Sequence, residues 1–154
     1  MTHFFWHGYE AEVDQAATAG WYAQAEDWGC TCGHCRNFLA LARARRLPEE
    51  ILEILDALRI PPAKATYVCE LYHDEDWAEK GLLYQFSWRV AGRILTKPAG
   101  KDAGPGWGPN VDFSWGELGL GHEEYPHGAP DFPQPHFDLG CGMYLPWVLE
   151  ESID

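Results

Sequence analysis

Lysine and arginine are missing from most of this sequence. None occurs in residues 1–35 or 102–154, which carry five and ten acidic groups, while all 11 basic residues fall within 36–101 beside nine acidic ones. With a net charge of −13, such a chain is a poor nucleic-acid binder, because phosphate binding relies on Lys and Arg displacing counterions. A basic protein partner stays open, since an acidic surface attracts one over long range. The plainer alternative is that the charge only keeps the chain soluble. Also missing is any apolar run near the roughly 18 residues that cross a bilayer. The opening stretch "MTHFFWHGYEAEVD" has no Lys or Arg before its short apolar patch, so no secretory leader and no membrane contact are expected. The expected location is the cytoplasm.

There is no internal repeat and no composition break that would mark a second domain. At 154 residues and 46% apolar content, the chain is long enough for one domain, 1–154, with its own core. "YEAEVD" (9–14) alternates apolar and acidic residues, as a short strand with one solvated face does. Residues 21–28 are compatible with a helix but have no clear period. Phe38, Leu41, Ala42 and Arg45 follow helical spacing over 36–46. "LPEEILEILDALRIPP" is the clearest helix: Pro48 and two glutamates open it, Ile51, Leu52, Leu55 and Leu58 line one face, and Pro61–Pro62 stops it. "TYVCELY" (66–72) reads as a strand. In "LLYQFSWRVAGRIL", Leu82, Tyr84, Phe86, Trp88 and Val90 alternate with polar residues, which indicates a long strand with one buried face. "DFSWGELGL" and "HFDLGCGMYL" are further strands, with a Gly/Pro-rich loop (96–112) before the first. The order predicts an α+β fold: an antiparallel sheet of about four to five strands covered by a helical pair.

Cysteine is scarce and odd in number at five, yet three sit within "WGCTCGHCRNF". Cys32-x-x-Cys35 has the spacing at which two thiolates converge on one tetrahedral zinc, and Cys30 is near enough to be a third ligand. His34, adjacent to Cys35, is poorly placed as a fourth; Cys69, His73 and Cys141 are better candidates. No second CxxC accompanies the first. Two other readings compete. Cys35 near a helix N-terminus and beside Arg36 would have a lowered thiol pKa and suit redox chemistry, but no βαβ pattern surrounds it. Alternatively, the three thiols are small buried apolar groups.

A second constellation is "HEEYPHGAPDFPQPHFD", where His122, His127 and His136 stand among carboxylates. Histidines with acids can hold a catalytic metal or move protons, although the spacing is not that of HExxH. Simple solvation in a proline-rich loop is the competing account. Eight Trp, seven Tyr and seven Phe exceed what the core requires, and Trp77 and Trp107 fall in predicted loops. They are candidate anchors for a partner or a ring-bearing ligand, or else lids folded back on the core.

The "CxCxxCRNF" motif, "LPEEILEILDALRIPP", "YQFSWRVAGRI" and "PHGAPDFPQPHFDLGCGMYLPWVLEE" together resemble a family of small bacterial proteins over residues 30–151. The resemblance implies one bacterial cytoplasmic domain. It carries no activity and no catalytic residue. The expectation from the sequence is therefore a binding protein more than an enzyme, with zinc as its candidate cofactor at Cys30, Cys32 and Cys35. Its acidic, aromatic surface would meet a basic partner, as an inhibitor or immunity-type protein does. The alternative is a small metal-dependent hydrolase working through the His122–His136 loop.

Overall fold

A computed structural model describes residues 1–123 and 128–153. The chain runs β1 (Thr2–Trp6), β2 (Tyr9–Val13), α1 (Gln15–Gln24), α2 (Gly33–Arg43), α3 (Glu49–Leu58), β3 (Tyr67–Tyr72), α4 (Trp77–Lys80), β4 (Leu82–Thr96), β5 (Val111–Phe113), β6 (Gly116–Gly121) and β7 (His136–Leu145). This is the expected mixture of helices with an antiparallel sheet. The sheet, however, has seven strands, not four or five, in the order β1-β2-β4-β7-β6-β5 with β3 also paired to β4. The surplus comes from two hairpins: β1 returns as β2 through His7 and Gly8, both at positive φ, and β5 returns as β6. Among the described residues three longer helices, not a pair, accompany the sheet.

The long strand β4 organises the rest. Residues 82–91 pair with β7 along one edge, while β3 and then β2 pair along the other. Between β3 and β2 the second edge would be left open, and α1 fills it. The Tyr22 hydroxyl donates to Arg89 O (2.7 Å), Ala91 N donates to Thr18 Oγ1 (3.1 Å), and Asp14 N donates to Ala91 O (2.9 Å). Asp14 also caps α1 by accepting from Ala17 N. Buried backbone groups need partners, and these contacts complete an edge that no strand covers.

Period-two alternation divides the sheet into two unlike faces. Leu82, Tyr84, Phe86, Trp88 and Val90 point to one side with Phe137, Leu139, Cys141, Met143 and Leu145 of β7 and Leu118 and Leu120 of β6. There α2 sets Phe38 against Phe86, with ring centroids 4.9 Å apart, and Trp88 sends its Nε1–H to Pro62 O. The opposite face carries Gln85, Ser87 and Arg89, facing Gly142, Gly140 and Asp138 of β7, then Glu117, Gly119 and Gly121 of β6. No helix among the described residues is long and apolar enough to cross a membrane.

Candidate functional site

The cysteine cluster sits where α2 begins. Cys32 is its N-cap residue, without a side-chain cap bond. Cys30, Cys32 and Cys35 bring their sulfurs within 4.8 Å of one another, and Cys30 Sγ is 3.4 Å from Cys32 Sγ. Cys30 and Cys32 are exposed and Cys35 is buried; the Trp28 indole N–H donates to Cys35 Sγ at 3.1 Å. Three close sulfurs are compatible with a metal such as zinc.

Two residues of the same motif hold this turn against the C-terminal segment. Asn37, fully buried, donates to Pro146 O (3.0 Å) and accepts from Val148 N (2.8 Å). Arg36 binds both carboxylate oxygens of Glu151 and also donates to Thr31 O. Tyr84, from the floor of the sheet, donates to the His34 carbonyl (2.7 Å). "CRNF" and "PWVLEE", far apart in sequence, thus form one clamp.

The thiol chemistry differs from the redox expectation. Burial pushes Cys35 up to about 12, only partly offset by the Trp28 N–H, so it is not an activated thiolate. Arg36 is turned away to Glu151. The lowered thiol is Cys30, chiefly because the Cys32 backbone N–H donates to it.

None of the proposed fourth ligands enters the three-sulfur group. Cys69 stands opposite Gln85, so alternation points it to the open face of the sheet, away from α2. Cys141 faces the helices but is buried deep in the sheet opposite Phe86. His73 belongs to a different group. It lies with Glu70 and His34, one ligand atom of each within 4.8 Å of the others.

Of the two tryptophans singled out, Trp77 is half-buried in α4 and packs against the core. Trp107 does something else. Its indole lies on the glycines of the open face: a Cβ at Gly140 would come 2.7 Å from the ring, and one at Gly121 2.5 Å. The strand-like run through Trp107, with Gly108 N donating to Leu120 O and His122 N to Gly106 O, fixes this position. Beside the indole opens a cleft of about 250 Å³, lined among others by Tyr67, Gln85, Ser87, Glu117 and Glu123. Ser87 Oγ is buried there without a hydrogen-bond partner among the described residues. Tyr67 is pushed up to about 12 by burial first and by Cys69 second, so at neutral pH it is a hydroxyl donor. Next to the cleft, Arg89 and Asp138 face each other across β4 and β7 in a buried bidentate pair, at 3.0 and 3.2 Å. Asp138 also accepts from Glu123 N at 2.8 Å.

The histidine loop is only partly described. His127 lies outside the described residues. His122 is exposed, and His136 opens β7 against Phe132 with its Nδ1 buried and unpartnered among the described residues. Burial and then Arg89 lower the His136 pKa. Neither residue joins a three-ligand group among the described residues.

Sequence reasoning missed the His34–Glu70–His73 group and the polar lining of the cleft. The i,i+3 pair in "ELYH" was the available signal for the first. Compared with known proteins, the chain matches no family model, no curated protein and no solved structure.

Proposed function

We propose that the protein acts by binding, and that its contact surface is the cleft on the open face of the sheet, which takes a lysine or arginine side chain of a basic partner. The observation that carries this reading is Trp107 seated on Gly121 and Gly140 beside Glu117. An aromatic face next to a carboxylate attracts a cation by quadrupole and by charge. About 250 Å³ is below the roughly 300–1,000 Å³ of drug-sized ligand sites and suits one long side chain. Tyr67, Gln85 and Ser87 add polar groups able to accept from an ammonium or guanidinium. Arg89, next to the cleft, is already neutralised by Asp138. The acidic ends of the chain would steer such a partner toward the surface. Neutralising a basic protein, as an inhibitor or immunity-type protein would, is the form of this role that the charge favours.

In this reading the cysteine cluster is structural. A zinc ion on Cys30, Cys32 and Cys35 would tie the segment before α2 to the helix and leave its fourth position to a further donor.

The test is capture of partners from cell lysate on the immobilised chain. Basic proteins released by high salt and lost with both Trp107→Ala and Glu117→Gln support the reading. Recovery of chaperones alone, or equal capture by both variants, contradicts it.

A further inference from the structure

We infer that His34, Glu70 and His73 form a binding site for a divalent transition cation, separate from the cysteine cluster. Three elements build it. His34 lies in the first turn of α2, its backbone held by Tyr84 and its ring edge-on to Trp147 at 6.0 Å. Glu70 stands opposite Tyr84 on β3, and the register shifts immediately after it, between Glu70 and Tyr72. His73 follows at the strand's end, three residues from Glu70.

The donor atoms are close. His73 Nδ1 is 3.0 Å from Glu70 Oε1, and His34 Nδ1 is 4.0 Å from Glu70 Oε2. Ligands at about 2.0–2.2 Å from a tetrahedral zinc stand roughly 3.3–3.5 Å apart; the two histidines approach different oxygens of Glu70, and one donor atom from each of the three residues lies within 4.8 Å of the others. Small side-chain rotations would close the set.

Two further observations favour a cation over a simple hydrogen-bonded cluster. The Glu70 side chain is only 10% exposed, and no Lys or Arg pairs with it among the described residues; a largely buried carboxylate is costly without positive charge nearby. His34 is also held without ordinary hydrogen bonds. Its Nε2 is buried without a partner among the described residues, and its Nδ1 is beyond hydrogen-bonding range of Glu70. A metal on Nδ1 would give that nitrogen the interaction it lacks; Nε2, on the other side of the ring, takes no part in the site.

Two imidazoles and one carboxylate select zinc, cobalt, nickel or copper over calcium or magnesium, which require more oxygen ligands. Three protein ligands leave a further coordination position for water.

The experiment is a cobalt(II) titration of the metal-stripped chain before and after alkylation of its exposed thiols, Cys30 and Cys32, with iodoacetamide. The alkylated chain is expected to bind one equivalent, with visible absorption but no sulfur-to-metal charge-transfer band. That equivalent is lost in His73→Ala and in the isosteric Glu70→Gln, with folding of each checked by circular dichroism. Absence of binding after alkylation, or unchanged binding in folded Glu70→Gln, would overturn the inference. The cysteine site is read separately by the charge-transfer band of the unmodified chain.

Discussion

The two faces of the sheet are made by alternate residues of the same strands, yet they obey different physics. On the helix side, β4 and β7 present large apolar side chains, and Leu82, Tyr84, Phe86, Trp88 and Val90 are fully buried. On the open side the same strands present Gln85, Ser87, Arg89, Asp138, Gly140 and Gly142. The first face contributes stability through removal of apolar area from water. The second holds polar groups and gives Trp107 a flat seat. A single strand can therefore line the core and a polar cleft at once, because a period of two keeps the two faces apart.

The change expected to break this arrangement most severely is Asp138→Ala, which leaves Arg89 buried and unpaired. Removing one partner of a buried pair costs about 3–5 kcal/mol, and urea denaturation should show a loss of that order; a change under about 1 kcal/mol would contradict the role given to the pair. Gly140→Ala is a gentler probe of the same face. Its Cβ would collide with the indole of Trp107, so the ring must move, at an expected cost of about 1–3 kcal/mol. Captured basic partners should fall away while the far-ultraviolet circular dichroism stays unchanged.

The cysteine cluster lies beside the helix-covered face and sharpens the contrast from outside. Cys32→Ser should weaken zinc by more than the ~10–100-fold that follows loss of an outer-shell partner, and lower the melting temperature in zinc but not in chelator. Cys35 stands at about 12 as a free thiol, so a zinc ion bound there would displace its proton. Affinity should therefore rise from about pH 6 to 8, as isothermal titration would show; a flat profile would speak against Cys35 as a ligand.

The smallest effect belongs to His136. Its folded pKa lies below its ordinary 6.5, so the folded state favours the neutral ring. The resulting stability is complete above the ordinary value and is lost as pH falls through it. The denaturation midpoint should thus drop between about pH 7.5 and 5.5, and drop less in His136→Gln.

What the sequence made legible follows from the same contrast. The buried face of β4 was readable because its alternation is unbroken over many residues, and α3 because an apolar stripe and its prolines agree. β1 was not, since "THFFW" is a largely exposed edge strand without alternation, and α1 has no clear apolar period, only its Asp14 cap. The three cysteines were readable from spacing alone. The His34–Glu70–His73 group was not, because it joins a helix start to a distant strand whose register shifts beside Glu70. Trp107 stood out in its loop, but its glycine seat arises from the pairing of β6 with β7, which no local pattern encodes.

The central claim is that the open face recognises a cation. It is tested most directly by titrating the isotopically labelled chain with an arginine- and lysine-rich peptide and following its amide and indole N–H resonances. The account predicts shifts confined to Trp107, Glu117, Gly140, Gly142 and their neighbours, absent in Trp107→Ala and suppressed by salt near 1 M, where the screening length falls to about 3 Å. Shifts centred on the start of α2, or none at all, would contradict it.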